Sequence, residues 1–171
     1  MVLPRFSDLA PTVSATTRAQ RPGEQDGVHY WFLPREEFDR RVDAGEFLEW
    51  VDYVGNRYGT LHSEIERLRA EGRAPLLELE TEGALSVKQR VDNAVTIFVT
   101  APVVELERRL RERATESSGV IEERLETARR QLQQQREFDH VVENEDREPA
   151  AERLASIIER ELIAAATMAG R

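Results

Sequence analysis

The chain contains no cysteine, and its single lysine, Lys88, stands against 23 arginines. Without cysteine there is no disulfide framework and no thiolate nucleophile or metal ligand, and a cytoplasmic location is expected. No apolar run approaches the ~20 residues of a membrane helix, and no basic-then-apolar leader stands before the first motif, so no membrane association is expected. Lys and Arg together number 24 and Asp and Glu 33, a net charge of -9. That balance excludes general nucleic-acid or anionic-membrane binding, because proteins that seek phosphate polymers are basic overall. A local arginine cluster is still free to hold a small phosphate ligand. There are no internal repeats and no low-complexity linker, and nothing in the acidic charge specifies an oligomeric state.

What is present suits one ordinary domain. The 171 residues, 40% hydrophobic and 33% charged, can bury one modest core, with a small lobe inserted in it. PREEFDRRVDAG (34–45) predicts a short helix, with Pro34 in the first turn, Phe38 and Val42 on one face and Gly45 as the stop. FLEWVDYVGNRYG (47–59) predicts strands broken by a turn at Gly55-Asn56, and HSEIERLRAEG (62–72) an amphipathic helix ending in glycine. The pattern then alternates. APLLELE (74–80), AVTIFVTA (94–101) and HVVEN (140–144) read as core strands, the second so rich in β-branched residues that cover on both faces is expected. Between and after them, residues 82–91, the two charged segments from Pro102 to Phe138, and 148–169 read as helices. Alternating strands and helices predict an α/β fold with a parallel sheet.

Four segments carry chemistry. TVSATTRAQRPGEQDGVHYWF (12–32) places Ser14, Thr16, Thr17, Arg18, Arg21 and Tyr30 around a Pro22-Gly23 turn. Guanidinium forks and hydroxyls suit phosphate oxygens, yet the same residues also make an ordinary solvated loop. GEFLEWVDYVGNRYGT adds Glu49, Tyr58 and Thr60. Glu49 either faces solvent on an alternating strand or, if buried, needs a partner with N–H donors such as the edge of guanine. LLELETEG places Glu78, Glu80 and Glu82 where a parallel strand ends, the usual ligand edge of α/β sheets, although acids are also common at a helix start. LRERATESSGVIEERL brings Arg111, Arg113 and Arg124 around a short loop between two helices. Such an arm can close over phosphates, or simply keep two helices soluble.

In order and spacing these segments resemble the guanylate kinase family. The motifs are SATTRxxRPGExDGxxYxF, FLEWxxxxGNxYGT, a strand ending E-L-E-x-E-G, R-x-T-E-x-x-x-x-I-x-x-R-L, and VxxNED, and they run from about residue 5 to about residue 165. The resemblance implies a nucleoside monophosphate kinase-like parallel sheet in one domain over 1–171. It has a mixed α/β GMP-binding lobe at about 13–73, a core at 74–110 and 138–171, and a helical lid at 111–137. It implies phosphoryl transfer from ATP to GMP with Mg²⁺. By their motif positions, Arg18, Arg21, Tyr30 and Tyr58 would hold the GMP phosphate, and Ser14, Glu49, Thr60 and Glu80 would read the base. Arg113 and Arg124 would be the catalytic lid arginines on the ATP side, with Asn144 lining that side and no protein ligand to metal. The chemistry is consistent: carboxylates suit guanine N1–H and N2–H₂, and a hydroxyl donor suits O6, whereas adenine would leave them unpaired. Glu78 and Glu80 stand where the family commonly has Asp, and Ala114 where the lid often has glycine.

One family feature is missing from these residues. They contain no GxxxxGK(S/T) phosphate loop, and Lys88 lies in SVKQRV with no glycine cradle. That loop supplies the N–H groups, lysine and hydroxyl that anchor ATP and its Mg²⁺. The opening MVLPRFSDLAP reads as the last turn of the phosphate-loop helix and its exit, so roughly 25 residues of strand and loop are missing on the family's layout. The expectation is a truncated guanylate kinase sequence, feebly active at most as it stands. A non-catalytic guanylate kinase-like module binding GMP or a protein, and a remnant without a stable fold, stay open as alternatives.

Overall fold

Residues 2–113 and 118–169 are described by a computed structural model. They form two compact units, one of Phe6–Asp92 and one of Asn93–Arg171 with Met1–Arg5.

The Phe6–Asp92 unit is built on two small sheets. Strand β1 (Leu9–Pro11) pairs in parallel with β6 (Ala74–Leu76), Leu9 opposite Ala74 and Pro11 opposite Leu76. A single 3₁₀ turn, Leu3–Arg5, precedes β1 in the chain. The opening residues were expected to be a helix exit, and the strand in them had no sequence signal. Three residues ending in proline are too few to show alternation. Strand β6 is likewise shorter than the predicted 74–80, and Leu77 to Glu80 continue toward the next helix outside any ladder.

The second sheet has four strands in the order β3-β2-β5-β4, namely Trp31–Phe32, Ala15–Thr16, Asn56–Leu61 and Phe47–Tyr53. Strands β2 and β3 are parallel, whereas β2–β5 and β4–β5 are antiparallel. The β4–β5 turn is Val54-Gly55, not Gly55-Asn56 as predicted; both turn residues have positive φ, 47° and 75°. A two-residue hairpin loop of this hand matches strand twist, so Asn56 is drawn into the ladder opposite Tyr53.

Helix α1 (Arg35–Asp43) starts after Pro34, carries Glu36 and Glu37 in its first turn and Arg40 and Arg41 in its last, as the helix dipole favours. It buries Phe38, which stacks on Phe47 with ring centroids 4.4 Å apart, and Ala15 and Leu61 complete that core. Helix α2 (His62–Ala70) buries Ile65 and Leu68, and α3 (Thr81–Arg90) buries Thr81, Gly83 and Val87.

In the other unit, β7 (Ile97–Thr100) and β8 (His140–Glu143) are parallel, Ile97 opposite His140. Helices α4 (Val103–Arg113), α5 (Ser118–Gln134) and α6 (Arg147–Ala169) accompany them. Val142, Ala150 and Ile157 form its core with Ile97 against them. Cover on both faces of β7 was expected from its composition, yet Val99 is 52% exposed. The chain is therefore α/β with parallel strand pairs, as its pattern predicts. Among the described residues no helix is long and apolar enough to cross a membrane.

Candidate functional site

The first cluster forms because β2, β3 and β5 are neighbours. Trp31 N–H donates to the Ser14 carbonyl at 2.9 Å and Leu33 N–H to that of Thr16 at 2.9 Å, which ties the arginine loop back onto the sheet. Thr16 is fully buried, and its hydroxyl accepts from the Arg18 N–H at 3.1 Å. The Arg18 guanidinium lies over the rings of Tyr30 and Phe32, 5.4 and 5.6 Å from their centroids. Tyr30 in turn meets Tyr58 edge to face at 6.1 Å. Arg18, Tyr30 and Tyr58, far apart in sequence, are thus brought together.

Glu24, a residue not singled out from sequence, pins this cluster. Its carboxylate takes both Arg18 Nη atoms, at 2.8 and 3.1 Å, and the Arg21 backbone N–H at 2.8 Å. The Arg18 hydrogen bond, then the Arg21 N–H, holds Glu24 below the usual carboxylate range. The Glu in RPGExDG was the available signal, but the chain shows no reason to rank it above its neighbours until the loop closes. Arg21 itself is exposed at the loop surface, and Ser14 is half-buried just before β2.

The second cluster lies two residues further along β5. Tyr58 and Thr60 point to the same face, about 7 Å apart along the strand. Glu49 faces Thr60 across a β-bulge, where Phe47 pairs Leu61 and Glu49 already pairs Thr60. The extra residue reverses the facing of the residues beyond it. Phe47 packs on Phe38 while Glu49 turns toward α3. Glu49 is 3% exposed rather than solvent-facing, and Thr60 is 0% exposed. The Thr60 hydroxyl donates to Glu49 Oε1 at 2.8 Å. Burial pushes the Glu49 carboxyl up, and the hydrogen bonds from Thr60 and the charge of Arg90 only partly offset it. A buried carboxylate with one firm partner retains acceptor capacity for a ligand.

Glu80 is the N-cap residue of α3, in extended conformation, and its side chain makes no capping bond. It is half-buried, whereas Glu78 is exposed. A further anchor for the site is Glu64 of α2, also buried. Burial works against its ionisation, yet hydrogen bonds from Arg67 (3.0 Å) and the Val13 N–H (3.3 Å) outweigh this and hold it low. It thereby fixes the backbone just before Ser14.

The three residues expected on the ATP side belong to the other unit. Arg113 ends α4 and Arg124 lies within α5; their side chains, and Ala114 entirely, lie outside the described residues. Asn144 follows β8, its N–H donating to the Thr100 carbonyl at 2.6 Å. Among the described residues no group of three or more His, Cys, Asp or Glu side chains is placed to hold a metal ion.

A family model described as Guanylate kinase matches residues 5–161. The chain belongs to the guanylate kinase family. Curated guanylate kinases from several bacteria are close in sequence to it. That of Desulfitobacterium hafniense is 46% identical over 158 residues, 92% of this chain and 79% of the relative. That of Rubrobacter xylanophilus is 47% identical over 153 residues, covering 89% and 80%. The crystal structure of guanylate kinase from Anaplasma phagocytophilum superposes with a TM-score of 0.76 at 33% identity, covering 90% of this chain and 76% of that one. Guanylate kinases are phosphotransferases, and membership implies GMP and ATP as substrates.

Proposed function

We propose that the Phe6–Asp92 unit contains the GMP-binding lobe of a guanylate kinase, at about residues 13–73, and carries its GMP site. Arg18, Arg21, Tyr30 and Tyr58 grip the GMP phosphate, while Ser14, Glu49, Thr60 and Glu80 read the base. The observation that carries this reading is the buried Glu49–Thr60 pair, one strand step from the Arg18–Tyr30–Tyr58 cluster. A water-excluded carboxylate rewards a ligand with two adjacent N–H donors and penalises one without them. Guanine has them; adenine does not.

In the reaction, an oxygen of the GMP phosphate attacks the γ-phosphorus of ATP in line. The bond from that phosphorus to the bridging oxygen breaks, giving GDP and ADP. The attacking phosphate is already anionic, so no general base is needed, and the work is positioning and charge neutralisation. Mg²⁺ bound with ATP supplies further charge neutralisation. Arg18 and Arg21 orient the acceptor, and Arg113 and Arg124 are assigned to the lid over the transferring group. Residues 111–137 make that lid, with the core in 74–110 and 138–171.

These 171 residues contain no GxxxxGK(S/T) segment. A second reading rests on the Arg18–Tyr30–Tyr58 cluster: a module that holds GMP, or a phosphorylated peptide in the same arginine–tyrosine grip, without rapid transfer. Calorimetric titration with GMP, AMP and a phosphotyrosine peptide, alongside a coupled assay for GMP-dependent ADP release, tests both. GMP binding with feeble turnover supports the lobe assignment. Preference for the phosphopeptide supports the module, and ordinary turnover contradicts the second reading.

A further inference from the structure

Two glycines touch Glu49, and they do so differently. A Cβ on Gly59 would meet the Glu49 carbonyl oxygen at 2.7 Å, Phe47 Cδ1 at 2.8 Å and Trp50 Cβ at 2.9 Å. Backbone and the roots of side chains stand in the way, so the strands themselves would have to part. A Cβ on Gly83 would instead stand 2.7 Å from Glu49 Oε2 and 3.5 Å from its Cδ, with Val51 Cγ1 next at 3.7 Å. There the obstructed atom is the free end of a carboxylate, and no backbone is in the way.

Nothing in the helix asks for glycine at position 83. It lies in the first turn of α3 with no positive φ, where alanine is the better helix former. What glycine provides is space for one oxygen. Oε1 is held by the Thr60 hydroxyl, and a carboxylate is planar, so the location of Oε2 is fixed by whatever bounds it on the other side. The buried Gly83 is that boundary.

We propose that Gly83 is a positioning residue for guanine recognition: the bare first turn of α3 sets where the second oxygen of the Glu49 carboxylate stands, and with it the preference for a base carrying two adjacent N–H donors. This rests on the reading of Glu49 as the base acceptor. A methyl group at position 83 leaves the fold intact and displaces the carboxylate. Shortening that side chain by one methylene, as in Glu49→Asp, withdraws the obstructed atom and removes the conflict.

The test uses the full chain as wild type, Gly83→Ala, Glu49→Asp and the double variant. Each is titrated by calorimetry with GMP, inosine monophosphate (which lacks the 2-amino donor) and AMP, and each is melted. Gly83→Ala is expected to melt cooperatively at or above the wild-type temperature and to bind GMP about tenfold or more weakly. Its preference for GMP over inosine monophosphate should shrink. In the Glu49→Asp background the same change should alter GMP affinity by no more than about twofold, the scatter of independent effects. Wild-type GMP affinity in Gly83→Ala overturns the proposal. So does a loss of equal size in the Glu49→Asp background, or failure of Gly83→Ala to fold. If the wild type ignores GMP while melting cooperatively, the reading of Glu49 fails first and the proposal falls with it.

Discussion

The Thr60 hydroxyl donates to Glu49 Oε1 at 2.8 Å between two side chains almost sealed from water. Burial raises the Glu49 carboxyl above its unfolded value, against the pull of Thr60 and Arg90. A group raised in the folded state contributes stability that is present below the unfolded pKa and lost as pH rises through the folded one. Glu49→Gln should therefore lose less stability than wild type as pH climbs above the usual carboxylate range. It should also bind GMP more weakly. Urea melts across pH, paired with GMP titrations, check both halves; a stability difference between variant and wild type that stays constant as pH rises would contradict the first. GMP affinity of the wild type should fall as pH drops through the raised Glu49 pKa.

Arg18→Ala and Arg21→Ala should each weaken GMP binding by about 1–3 kcal/mol, the range for charge-assisted hydrogen bonds. Arg18 should cost more, because it is also held over Tyr30 and Phe32 and pinned by Glu24. Calorimetry on the two variants decides this, and unchanged affinity in both removes the phosphate-grip assignment.

Val54 occupies the left-handed region at φ 47° in the β4–β5 turn. A β-branched residue is disfavoured there by about 1–2 kcal/mol. Val54→Asn, giving Asn-Gly at a turn that favours it, should stabilise the chain by roughly 1 kcal/mol with GMP affinity unchanged. A denaturant midpoint no higher than wild type would count against this turn geometry.

Glu37 of α1 accepts from Arg40 and Arg41, both at 2.7 Å, and these two hydrogen bonds, Arg40's the larger, lower its pKa to about 2. The stability it contributes is present above the unfolded carboxylate value and disappears as pH falls toward about 2. Glu37→Gln should melt below wild type at neutral pH, and the gap should close in acid. A gap independent of pH would mean that the two ion pairs do not carry it.

The helices α1 and α2 were legible because their apolar residues recur at helical spacing and their ends carry proline or glycine signals. The hairpin was legible too, but its turn lay one residue earlier than the Gly-Asn pair suggested. The features that stayed hidden depended on partners distant in sequence. Strand β1 is a strand only because Ala74–Leu76 lies beside it. The burial of Glu49 comes from a bulge that no alternation pattern reveals, since Phe47 and Glu49 read as sharing a face. Glu24 and Gly83 gain meaning only when Arg18 and the Glu49 carboxylate are placed against them. Motif position alone nominates the residues of the proposed grip; which carboxylate is sealed and which is exposed required the fold.

Recognition of GMP by its base as well as its phosphate is the property proposed for the Phe6–Asp92 unit. Trp31 and Trp50, the two tryptophans of the chain, both lie in this unit, Trp50 next to Glu49. Tryptophan fluorescence titrated with GMP and with AMP is the most direct measurement. The expected result is a saturable change with GMP, a far weaker response to AMP, and loss of the GMP response in Arg18→Ala. Equal responses to the two nucleotides, or silence with both, would contradict it.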